Sequence, residues 1–199
     1  MTSGEGEVLN RMEEVLGRLL RSQERVMIFI DGPNLYGQLK QLGQKVDYFK
    51  LVKELAEGRR LIRTYMYVTY NPRDEEEKRK MESFIRVLED GGGFNVKAIP
   101  KRFRNGRWIE KGTDVSLVTD MLTLAYNDAY DTAILVSGDT DFVEAVRAVK
   151  ARGKKVEVAM FSNAVGEELK RIADRFVPLE YIMNKVRLSG KPSFSPPTP

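Results

Sequence analysis

Val26-Met27-Ile28-Phe29-Ile30-Asp31-Gly32-Pro33-Asn34 decides the fold. Five apolar residues, three of them β-branched, are closed by an acid and a Gly-Pro turn signal. A run this short reads as a strand, and its lack of polar alternation reads as burial on both faces. Working outward, similar runs recur at 62–69, 94–99, 132–136 and 156–161. Helical patterns at 49–56, 74–89, 115–126, 142–150 and 164–173 separate them. Strands alternating with helices of this length make βαβ units. The expected fold is α/β: a three-layer α/β/α sandwich around a central, mainly parallel sheet. Gly91-Gly92-Gly93 and Gly153 fall where helices should stop.

The flanks differ from this body. Residues 6–21 carry Val8, Met12, Val15, Leu16 and Leu19 near helical spacing, which predicts an added amphipathic helix that packs either on the body or on a second copy, the latter giving a homodimer. Residues 189–199 hold four of the eight prolines and read as a disordered tail. The expected division is therefore a helical extension at 1–25, one domain at 26–188, and the tail. With 42% hydrophobic residues in 199, the chain has the material for one packed core. No run approaches the ~20 apolar residues of a membrane span, and the charged start lacks a signal-peptide core. The expected location is cytoplasmic.

Chemistry is bounded by what is missing. There is no cysteine and no histidine, which excludes disulfides, thiolate metal sites and imidazole bases. Any bound metal must be a hard cation on oxygen ligands.

In a parallel sheet the carboxyl ends of the strands share one edge, where ligands bind. Asp31 follows the first strand there, and Ser137-Gly138-Asp139-Thr140-Asp141 follows the run at 132–136. Asp114 opens the helix at 115–126, whose start should face the same edge. Acids gathered so repel one another unless a cation neutralises them. Mg²⁺ held by one or two carboxylates and several waters suits such a set, and it can activate water against a phosphodiester. Singly, each acid has a plainer reading. Asp31 fits a turn, Asp141 fits a helix cap closed by Glu144, and Asp114 fits a first-turn acid behind a Thr113 cap. Asp139 in the loop is expected to be the better ligand, with Asp141 acting directly or through water. Asp120 lies ~9 Å further along the helix than Asp114 and ~120° around it, too far to share an ion.

The charge excess is local. Lys101 to Lys111 holds five basic residues and one acid, leaving 28 of each sign elsewhere. Asn105-Gly106 between alternating residues predicts a two-residue hairpin. It would pair Arg104 with Arg107, Phe103 with Trp108 and Arg102 with Ile109. The three arginines then share one face and the two rings the other. Arginines clustered on one face are the electrostatic footprint of nucleic-acid binding, with Trp108 available to stack on a base. The plainer reading is that the rings pack on the body and the arginines are solvated.

Three motifs in order, Phe29-Ile30-Asp31-Gly32-Pro33-Asn34, Lys111-Gly112-Thr113-Asp114-Val115 and Val136-Ser137-Gly138-Asp139-Thr140-Asp141-Phe142, resemble the NYN domain, in particular its LabA-like branch. The run Ala173-Asp174-Arg175-Phe176-Val177-Pro178-Leu179 is similar to the way those domains end. The resemblance implies a PIN-like fold and a Mg²⁺- or Mn²⁺-dependent ribonuclease site. Asp31, Asp114, Asp139 and Asp141 would be its acidic cluster, with Asn34 holding metal waters or a phosphate. Ser137 and Thr140 would buttress the carboxylates. Thr113 departs from the family's usual apolar residue and is read as a cap, and the hairpin's own charge pattern makes Lys111, Arg102, Arg104, Arg107 and Trp108 the residues expected to meet the RNA. The rival expectation is a regulator that keeps the acidic pocket and binds RNA or a nucleotide without cutting.

Overall fold

The computed structural model describes residues 3–104 and 106–188. The proline-rich stretch at 189–199 and Asn105 of the expected turn lie outside the described residues. The chain runs α1 (Ser3–Gln23), β1 (Arg25–Asp31), α2 (Gly32–Gln41), α3 (Tyr48–Ala56), β2 (Arg60–Tyr70), α4 (Glu75–Asp90) and β3 (Phe94–Pro100). A hairpin of β4 (Arg102–Arg104) and β5 (Arg107–Ile109) then leads into α5 (Thr113–Tyr126) and β6 (Thr132–Val136). A 3-10 turn at Thr140–Phe142 precedes α6 (Val143–Ala151), β7 (Lys155–Met160), α7 (Glu167–Ile172), β8 (Arg175–Pro178) and α8 (Met183–Val186).

Six strands form one parallel sheet in the order β3-β2-β1-β6-β7-β8. The chain builds outward from β1 to β3, then returns to the centre and builds the other way from β6. Right-handed crossovers place the helices of the two halves on opposite faces. The order therefore reverses between β1 and β6, and the crevice beyond their carboxyl ends is the switch point where such sheets bind ligands. Register puts Ile30 beside Val136 and Asp31 beside Tyr67, so Asp31 and Ser137 emerge together. Val26, Ile28, Phe29, Ile30 and Ala133 to Val136 are fully buried, as continuous apolar strands covered on both faces must be.

Three elements depart from expectation. Gly32-Pro33-Asn34 is not a free turn but the first turn of α2, with Asp31 as its N-cap and proline in the opening positions, where a missing N–H costs nothing. The run 175–178 is a sixth strand, β8, at the sheet edge, where its proline is tolerated. The helix expected over 164–173 is shorter, because Gly166 in extended conformation delays its start to Glu167.

At the opposite edge of the sheet, buried Arg59 donates to both Glu157 carboxylate oxygens at 2.7 and 2.9 Å, and to the carbonyls of Leu55 and Ala56. This pair ties the end of α3 to β7, across β1 and β6, the two strands that carry the switch point.

Candidate active site

Asp31 is 4% exposed. Its Oδ1 accepts the Asn34 N–H at 3.2 Å and its Oδ2 accepts the Ser137 hydroxyl at 2.9 Å. The Ser137 Oγ in turn accepts the Asp139 N–H at 3.2 Å, and the Asn34 Oδ1 accepts the Gly138 N–H at 3.1 Å. Two of these four hydrogen bonds, Ser137 to Asp31 and Gly138 to Asn34, stitch the end of β1 to the loop after β6, and the other two order each side locally. Close packing reinforces the seam. A Cβ on Gly138 would lie 1.7 Å from the Ala164 carbonyl oxygen, and one on Gly32 would lie 2.3 Å from that of Tyr67. Only glycine fits at either place.

Burial pushes the Asp31 carboxyl up to about 6. The Ser137 and Asn34 hydrogen bonds oppose that rise, and the charges of Asp114 and Asp139 add to it. Partial desolvation also raises Asp114, followed by the charges of Asp139, Asp141 and Glu110. These acids therefore feel one another across the rim. Among the described residues, however, no group of three or more carboxylates stands close enough to form a closed metal cage. What is present is one buried, oriented carboxylate with further acids around it. That donor set fits a cation held by one or two carboxylates and water, the Mg²⁺ habit, and not an all-protein cage.

Several residues sit otherwise than the sequence suggested. Asp141 does not cap α6. It is exposed, and Asp139 caps the 3-10 turn by accepting the Asp141 N–H at 3.0 Å. Thr113 does not cap α5, because Gly112 (φ 101°) holds that position, and the buried Thr113 hydroxyl has no hydrogen-bond partner among the described residues. Thr140 gives no hydrogen bond to the four aspartates among the described residues. Its methyl group packs against Gly166, where a Cβ would meet it at 2.2 Å. Asp120 lies outside the group, accepting from the Tyr67 hydroxyl and the Lys97 ammonium.

The hairpin has the expected register, Arg102 with Ile109, Phe103 with Trp108 and Arg104 with Arg107. The three arginines are exposed, as is Lys111. The rings of Phe103 and Trp108 lie 5.2 Å apart. Arg73, from the turn before α4, places its guanidinium 5.5 and 5.6 Å from their centroids. Part of the aromatic surface proposed for base stacking is therefore covered by the protein's own cation.

Sequence reading missed Glu110. It accepts from Thr69 Oγ1 at 2.9 Å, faces buried Lys101 at 3.5 Å, and contributes to the rise of Asp114. The signal was available as the lone acid of the basic segment, next to the strand that leads to Asp114.

The NYN domain matches residues 25–180, which span β1 through the turn after β8. The chain belongs to the NYN domain family. As an NYN domain it falls within the PIN-like nuclease superfamily, whose members usually employ divalent metals. Among curated proteins it is similar to the low amplitude and bright protein LabA of Synechococcus elongatus, 26% identical over 176 residues, covering 84% of this chain and 90% of LabA. It is also similar to the uncharacterized protein MJ0482 of Methanocaldococcus jannaschii, 27% identical over 87% of this chain and 64% of that one. Both likenesses support the LabA-like branch. Among solved structures, VPA0982 of Vibrio parahaemolyticus, a protein of unknown function, superposes with a TM-score of 0.68. It is 26% identical and covers 84% of this chain and 98% of that one. The described NYN domain contains no helix long and apolar enough to cross a membrane.

Proposed function

We propose that this NYN domain is a cytoplasmic ribonuclease that hydrolyses RNA phosphodiesters with Mg²⁺ or Mn²⁺ at the rim between β1 and β6. The observation that carries the reading is Asp31, buried at the switch point, oriented by Ser137 and Asn34, and repelled by acids that face it across the rim. A divalent cation bound there would supply water activation and charge stabilisation at the leaving oxygen. Asp31 and Asp139 would hold it, with Asp114 and Asp141 reaching it through water. The chain's own residues do the rest. Ser137 holds both Asp31 and the Asp139 backbone in place, so the two ligands are fixed relative to each other. Arg102, Arg104, Arg107 and Lys111 attract the phosphate backbone. Arg73 clamps the aromatic face of the arm and leaves its arginine face open.

End-labelled structured RNA incubated with Mg²⁺, Mn²⁺ or EDTA tests this. Metal-dependent fragments are expected from the wild type and none from Asp31→Asn or Asp139→Asn, with both variants folded. Full cleavage by either variant overturns the mechanism. The lack of a closed carboxylate cage among the described residues favours one alternative, an RNA-binding regulator. Metal-independent, salt-sensitive binding without products would establish it.

A further inference from the structure

We propose that α1 is a self-association helix, which pairs antiparallel with α1 of a second copy of this chain. Seven apolar residues of α1, Val8, Leu9, Met12, Val15, Leu16, Leu19 and Leu20, are each between 50% and 72% exposed. At 100° per residue they fall within an arc of about 140°, one continuous stripe. With roughly 100 Å² apiece still in water, the stripe offers on the order of 700 Å², near the ~800 Å² each partner gives to a stable interface. A patch of this size on one element marks an interaction surface.

The sequence of the helix says what covers it. Six of the seven apolar positions are symmetric about residue 14: Val8 mirrors Leu20, Leu9 mirrors Leu19, and Met12 mirrors Leu16. A two-fold axis beside residue 14 therefore sets apolar on apolar along the whole stripe in an antiparallel pair, as an isologous interface requires. Net charge differs between the two halves of the helix, and Glu7 mirrors Arg21. Residues 3–14 hold Glu5, Glu7, Glu13 and Glu14 against Arg11, whereas residues 15–23 hold Arg18 and Arg21 and no acid. Antiparallel pairing lays the acidic half on the basic half at both ends, while parallel pairing lays like on like. A bilayer surface is the poorer partner, since interfacial helices carry a cation-rich polar face and α1 has four acids to three arginines. Glu24 alone separates α1 from β1, so the helix leaves the sheet at the edge opposite Asp31. Pairing there keeps both rims open.

Sedimentation of the full chain across a concentration series tests association. A dimer of twice 22.7 kDa is expected, with a monomer for Leu16→Glu at unchanged near-ultraviolet dichroism. A wild-type monomer throughout overturns the proposal, as does co-sedimentation of a monomer with anionic vesicles. The chain has no cysteine, so orientation is readable without background. Leu9→Cys mixed with Leu19→Cys should form the mixed disulfide, while Leu9→Cys alone, its thiols ~15 Å apart along the axis, should not. Efficient disulfide formation by each variant alone would mean parallel pairing and overturn the antiparallel arrangement.

Discussion

Asp31 is where the protein trades stability for a site. Its carboxyl, near 3.8 in a free chain, sits at about 6 in the fold. Between these values the folded state binds more protons than the unfolded one, so stability falls as pH rises from about 4 to 6 and stays lowered above. Two units correspond to about 3 kcal/mol. In EDTA, Asp31→Asn should therefore unfold at higher urea than the wild type at pH 7.5, by up to that amount, and show no advantage at pH 4. An equal gain at both pH values would detach the effect from ionisation. Thr113 gives a second residue-scale test, because the cap reading and the structure predict opposite signs. Loss of a threonine cap costs ~1 kcal/mol, whereas a buried hydroxyl without a partner costs ~1–3 kcal/mol to keep. Thr113→Val should raise the melting temperature.

At the scale of elements, the hairpin was legible because alternation and Asn-Gly fix both register and facing, and the structure reproduces that register. Its clamp was not legible. Arg73 is about thirty positions away in sequence and meets the rings only through the fold. If the arm binds RNA, replacing Arg102, Arg104 and Arg107 by Gln should flatten the slope of log affinity against log salt by about 2, near 0.7 for each lost single-strand phosphate contact. A slope left unchanged would assign these arginines to solvent. The strands β1, β2, β3, β6 and β7 were readable from their dense apolar runs. The helix α2 was not, since Asp-Gly-Pro-Asn is equally a turn and a capped helix start, and only the hydrogen bond from Asn34 N–H to Asp31 distinguishes them. β8 was not legible either, because four residues at an edge carry too little pattern. Of the site, the positions of the acids could be read from where strands end. Their spacing could not, because the side-chain partners Ser137 and Asn34 are chosen across the switch point.

At the scale of the molecule, the two edges of the sheet have opposite electrostatic designs. The carboxyl edge leaves like charges facing one another, while the amino edge neutralises its charge internally, with Arg59 in a bidentate pair on Glu157. Removing one member leaves the other buried with only a longer contact, Arg175 at 3.9 Å from Glu157 or Glu24 at 3.8 Å from Arg59, at a cost of up to about 3–5 kcal/mol. Arg59→Met should lower stability by that much in urea titration, and the further change Glu157→Leu should recover most of it. A strictly additive double variant would show that the two are uncoupled. The strand order also has a consequence in time. Asp31 and Ser137 are neighbours in the sheet but 106 residues apart in the chain, and synthesis delivers them in that order. Until β6 has been made and inserted beside β1, Asp31 is only the end of an unfinished sheet, with no Ser137 to hold it and no Asp139 to face it. The candidate site is therefore incomplete throughout the synthesis of the first half of the sheet, and whatever chemistry it performs waits on the second half.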